Sequence, residues 1–259
     1  MPAPEPSVRR EVDGRVGRIT IDRPAKLNAL SRAVLEELAA AACWFDDQAE
    51  VSVVVVGGAG RAFSAGFDLA DRTWGELGPT GSAEVGRAMA DAVGGMRALT
   101  IAAVQGHCVG GGVVLAAACD LRVAADDARF RIPEVDLGIP LFWSGVPRLV
   151  RELGPAMTKE LVLTGRPFDA AEANALRFVN RVVPVADLDA AVGALAAELA
   201  AKPALVLRTT KLQVDDAVPP VPPADGLALT TELEGYAAAL ADPESRDAAA
   251  RYVQAKGKG

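Results

Sequence analysis

The chain has 259 residues, 51% of them hydrophobic and 24% charged, with a net charge of −7. That length and apolar content suit one large domain or two small ones around a sizeable core and exclude a disordered chain. The acidic balance argues against general nucleic-acid binding, which needs a basic face, but leaves room for a small anionic ligand held by a few local cations.

The N-terminal MPAPEPSVRREVDG has no apolar signal core. RVGRITID, residues 15–22, alternates like a half-buried strand. RPAKLNALS reads as a loop ending at Ser31, a helix N-cap, after which Val34, Leu35, Leu38 and Ala42 recur at helical spacing. VSVVVVGG, residues 51–58, predicts a strand buried on both faces. AGRAFSAGFDLAD follows as a glycine-containing loop, and residues 71–81 lack a regular period. Residues 81–99 predict a helix with Val85, Met89 and Met96 on one side.

The longest uncharged run, Thr100–Cys119, is about long enough to span a bilayer, yet Gln105, His107 and four glycines interrupt it. It reads as a buried strand, a turn and a helix start, so no membrane span is expected. Residues 120–140 predict one more strand, a turn and an extended segment. From Ser144 onward the pattern is helical, with Pro155 able to start a helix and Gly165 able to end one. Residues 215–226 carry four prolines and read as an extended linker before terminal helices. Strands alternating with helices of this length indicate an α/β core built from crossovers.

Cys43, Cys108 and Cys119 are scattered and His107 is the single histidine. A zinc site or disulfide framework is therefore not expected, no metal is invoked, and a reducing cytoplasm fits best. The glycines match neither GxxxxGK[ST] nor GxGxxG, which leaves a dinucleotide fold as a weak alternative. AFSAGFDL and HCVGGGVV instead each set a small residue beside a backbone N–H, the second at a helix start where the dipole favours negative charge. Two such donors converging on one oxygen make an oxyanion hole. Close packing of helix on strand is the plainer use of the same glycines.

DRPAKLNAL, GRAFSAGFDL, IAAVQGHCVGGGVVLAAACDLRVA and RIPEVDLGI follow in the order and spacing of the enoyl-CoA hydratase/isomerase family, the crotonase superfamily. The resemblance runs from about Arg15 to Val183 and more weakly to the C-terminus. It implies the α/β crotonase (ClpP/crotonase-like) fold of stacked β-β-α turns with a helical C-terminal region. Residues 1–200 would form the core and 201–259 a helical trimerisation region, in a homotrimer or hexamer. The implied partner is an acyl-CoA thioester, with coenzyme A arriving as part of the substrate and no further cofactor.

By position, the oxyanion donors resemble the N–H groups of Phe67 and Gly111, with Gly110 beside them. Gly111, lacking a side chain, would let the thioester sit against the backbone. Arg23, Lys26 and Leu27 resemble the nucleotide-binding segment; Ala65, Asp68 and Leu69 resemble the segment along adenine and the pantetheine arm. Lys256 would add a phosphate contact. Hydratases of the family commonly use two glutamates. The second falls on Glu134, after Pro133; the first falls on Val114, an apolar residue. Phe142 stands where dienoyl-CoA isomerases and a dehalogenase branch carry an aspartate. One glutamate suits a single-base 3-enoyl to 2-enoyl-CoA isomerase, whose members also have an apolar residue at the Val114 position. Hydration, with Trp74 or Glu76 replacing the missing group, and a non-catalytic acyl-CoA-binding protein are the alternatives. Asp120 is expected to cap the helix after the glycines, Asp136 to hydrogen-bond its loop, and His107 to be packed.

Overall fold

The computed structural model describes residues 6–218 and 227–256. Val8–Asp13 (β1) and Val16–Ile21 (β2) form an antiparallel hairpin turned at Gly14, whose φ is +55°. β2 matches the expected strand. β1 has no apolar alternation to announce it, since every residue after Val8 is exposed. Ser31 caps Arg32–Asp46 (α1) by accepting the Val34 N–H at 3.4 Å. Val34, Leu35, Leu38 and Ala42 are all buried, as their spacing predicts.

Three β-β-α turns follow. Val53–Gly58 (β3) and Ala62–Ser64 (β4) lead to Trp74–Gly94 (α2). Leu99–Val104 (β5) and His107–Val109 (β6) lead to Gly111–Ala118 (α3). Leu121–Ala125 (β7) and Arg129–Arg131 (β8) lead to Gly145–Thr164 (α4). Phe168–Asp169 (β9), Ala170–Ala175 (α5) and Arg181–Val183 (β10) come next, then Leu188–Ala200 (α6), Ala204–Asp216 (α7), Leu227–Ala241 (α8) and Pro243–Lys256 (α9). The first strand of each turn joins a large sheet and the second joins a small one. The large sheet runs β1-β2-β3-β5-β7-β10 and the small one β4-β6-β8-β9. Pairing is parallel from β2 through β10 and from β4 through β8, and antiparallel at the β1 and β9 edges. This is the expected crotonase architecture.

β3 is buried on both faces because α1, α2 and α3 supply the core on one side and α6, through Leu188, Val192 and Leu195, supplies it on the other. All eight residues of α3 are buried, which explains its unbroken apolar text. The Thr100–Cys119 run is thus divided among β5, β6 and α3. No single helix among the described residues is long and apolar enough to cross a membrane. α4 is kinked at Gly154 (φ 75°, ψ 165°), Pro155 opens its second half, and Gly165 closes it in the left-handed region, as expected.

Several expectations need correction. α2 begins at Trp74, not at residue 81, in spite of Gly75, Gly78 and Pro79. Packing of buried Ser82 and Ala83 overrides the local propensity there. Asp120 does not cap α3; its Oδ2 accepts from Thr100 N and Oγ1 at 2.7 and 2.8 Å and pairs with Lys211 at 2.9 Å. His107 is exposed, because alternation along β6 turns Cys108 inward and His107 outward. Of the stretch read as a linker, Asp215 and Asp216 end α7, and residues 219–226 lie outside the described residues.

Candidate active site

The three β-β-α turns bring their connecting loops to one place. The SAGFD loop after β4 is held by the loop before α1. Leu30 N–H donates to Gly66 O at 2.7 Å, and Asp68 N–H donates to Leu30 O at 3.0 Å. In a trans peptide the N–H opposes the C=O, so this bridge turns the Phe67 N–H away from Leu30. Gly66 has φ +82°, and a side chain on it would strike Val109 O and stand 3.5 Å from Gly111 N. The loop therefore lies against the start of α3. Gly111 N–H is the first of that helix and has no acceptor within the protein among the described residues. A helix N-terminus of this kind favours negative charge.

The third loop carries Glu134. Pro133 is buried and shapes the turn by accepting N–H groups of Asp136 and Leu137 at 2.9 and 3.2 Å. Asp136 pairs with Arg131 at 2.7 Å, a structural bond of the kind expected. Glu134 is 9% exposed, and its Oε2 is buried with no hydrogen-bond partner among the described residues. Burial pushes its carboxyl up to about 7, against a smaller opposing pull from its own backbone N–H. Its Oε1 fills the place where a Gly110 side chain would stand, which requires glycine there, as does Gly110's φ of +51°.

A cavity of about 210 Å³ joins these parts. Phe67, Gly111, Val114 and Glu134 line it, together with Leu141, Trp143 and, from α8 and α9, Tyr236 and Val253. Among the described residues, Glu134 is the one carboxylate in that wall, and Ser82, Trp143 and Tyr236 carry its other side-chain polar groups. The Trp143 indole, 5% exposed, occupies the space beside Gly111 and Gly86 that side chains would fill. This corrects one expectation: the glycine at 111 makes room for a tryptophan. The Phe142 and Tyr236 rings meet at a tilt of 58°, with centroids 4.1 Å apart. The C-terminal helices thus close the outer side of the cavity.

Around the entrance, Lys26 is exposed, with Nζ 3.8 Å from Asp68. Arg23 is engaged inside the protein, at 2.9 Å from Asp68 and 2.5 Å from Ala29 O. Leu27 takes a left-handed φ of 49° and its carbonyl accepts from Ala65 N at 2.8 Å. Asp68 is buried and Leu69 is half exposed. Lys256 ends α9, and its side chain, like those of Trp74 and Glu76, lies outside the described residues.

Three residues of the site carried no expected role. Asn28, fully buried with φ 55°, donates to Ala59 O and Ala62 O at 2.9 and 2.7 Å and accepts from Arg23 N at 2.9 Å. Its signal was an asparagine in a turn, which tolerates the left-handed region. Trp143 and Tyr236 lacked any local signal, because their neighbours at the site are distant in sequence.

The family model for enoyl-CoA hydratase/isomerase matches residues 11–253. The probable enoyl-CoA hydratase echA8 of Mycobacterium tuberculosis is 37% identical over 222 residues, covering 80% of each chain. The structure of an enoyl-CoA hydratase from Mycobacterium avium subsp. paratuberculosis superposes with a TM-score of 0.83 at 28% identity, over 96% of this chain and 99% of that one. A putative enoyl-CoA hydratase from Thermobifida fusca, solved in complex with acetoacetyl-CoA, gives a TM-score of 0.73 at 34% identity over 88% and 92%. The described fold and the four ordered loops agree with these matches, and the chain belongs to the enoyl-CoA hydratase/isomerase family.

Proposed function

We propose that this member of the family works through a thioester enolate, with Glu134 as its base, and that its net reaction is hydration of a 2-enoyl-CoA. The observation that carries the enolate reading is the buried carboxylate of Glu134 set against Gly110, one residue from the helix-terminal N–H of Gly111. The N–H groups of Phe67 and Gly111 would hold the thioester oxygen as it gains charge. A carboxyl balanced near 7 can take a proton and give it back near neutral pH. In hydration, Glu134 takes a proton from water as the hydroxyl bonds to C3, and the carboxyl then returns that proton to C2 of the enolate. One water is consumed and the base is regenerated.

The sequence alone favours isomerisation, and the names of the relatives move the balance to hydration. Isomerisation remains the second reading because Val114 lines the cavity where a two-glutamate hydratase has its other carboxylate. In it, Glu134 takes a proton from C2 of a 3-enoyl-CoA and returns it to C4. Incubation with 2-enoyl- and 3-enoyl-CoA separates the two: 3-hydroxyacyl product marks hydration, and double-bond migration without it marks isomerisation. Tight acyl-CoA binding with no turnover on either would favour the binding-protein alternative. The exposed Leu205, Val206, Leu212 and Val214 of α7 support a homotrimer or hexamer built partly on that helix.

A further inference from the structure

Trp143 and Ser144 form a strained corner. Both have left-handed φ angles, 62° and 54°, with no glycine to ease them. Such a corner persists only where its surroundings over-determine it. One side is packing: the indole is wedged between Gly86 of α2 and Gly111 of α3, with its ring 6.3 Å from that of Phe67. The other side is a carboxylate from far along the chain. Glu232, on α8, accepts the Ser144 N–H at 3.2 Å. It is half-buried and lies near α2, against which α8 packs.

We propose that Glu232 is a positioning residue: it clasps the Trp143–Ser144 corner and thereby sets the indole that backs both Phe67 and Gly111. Glu232 does not line the cavity and touches no reacting group. It acts through Trp143, which touches both loops whose N–H groups are proposed to hold the thioester oxygen. The inference rests on that oxyanion reading. It makes the C-terminal helix α8 part of the catalytic geometry as well as a cover for the cavity. A shift of the indole would move the Gly111 and Phe67 peptides together, and displacements on the order of 1 Å can cost about 100-fold in rate.

The test uses the full chain and acetoacetyl-CoA, whose enolate has its own ultraviolet band, alongside turnover of a 2-enoyl-CoA and a 3-enoyl-CoA. Glu232→Gln keeps an acceptor oxygen at full reach and removes the charge. Glu232→Asp keeps the charge and shortens the reach. The expected result is that Glu232→Gln retains the enolate band and most of kcat, while Glu232→Asp loses the band and roughly 10- to 100-fold in kcat, with KM within about twofold. Equal behaviour of Glu232→Asp and the natural protein overturns the proposal. So does a Glu232→Gln variant as impaired as Glu232→Asp. Absence of an enolate band in the natural protein would instead overturn the oxyanion reading itself.

Discussion

Gly110 and Glu134 are fitted to each other: the Glu134 Oε1 fills the space in which a Gly110 side chain would stand. Because Gly110 also has φ +51°, Gly110→Ala combines backbone strain with displacement of the carboxylate. It is predicted to destabilise the protein by about 2–3 kcal/mol and to remove most turnover. Chemical denaturation and steady-state kinetics on the same preparation check both parts.

The raised Glu134 pKa makes a stability prediction with a definite sign. The folded value is about 7 against an ordinary 4.5. Between those values the folded chain holds a proton that the unfolded chain has lost, so stability falls as pH rises across that window. The loss reaches at most about 3 kcal/mol above the folded pKa. Glu134→Gln lacks this penalty. It should be more stable than the natural protein near pH 8 and indistinguishable from it near pH 4, as read by denaturation midpoints. The same titration should make kcat/KM rise as pH passes about 7, since the base acts ionised.

Asn28 ties three backbone segments together through its side-chain amide. Asn28→Ala leaves the buried Ala62 carbonyl, the partly buried Ala59 carbonyl and the Arg23 N–H short of a partner. It should cost about 2–4 kcal/mol and loosen the loop that carries Lys26 and Leu27. A lower melting temperature with a raised KM for acyl-CoA would bear this out; an unchanged KM would separate Asn28 from the binding loop.

Lys26 is exposed, with Nζ 3.8 Å from Asp68. If it meets a coenzyme A phosphate, Lys26→Ala should raise KM by no more than about fivefold and leave kcat unchanged, the mark of uniform binding. A fall in kcat would assign it another role.

Much of this molecule was legible in its text because the signals were local. The β3 and β5 strands and the α1 cap each followed from spacing or from one capping residue, and the four ordered motifs indicated which loops meet. What escaped was set by long-range packing. The start of α2 at Trp74 defies its own glycines and proline because the tertiary fold buries Ser82 and Ala83. β1 has no buried face to give it a period. Trp143 could not be paired with Gly111 from sequence, since 32 positions and two strands separate them. Of the two uses the triple glycine suggested, the structure shows close packing: Gly112 packs against Ser64 and Gly111 against Trp143, while Gly110 yields its space to a carboxylate.

The most direct measurement is the turnover of 2-enoyl- and 3-enoyl-CoA by the natural protein and by Glu134→Gln, with acyl-CoA affinity measured in parallel. The account predicts turnover of at least one substrate by the natural protein, a loss of at least about 100-fold in the variant, and affinity unchanged within a few fold. A Glu134→Gln variant that turns over either substrate at the natural rate would contradict it.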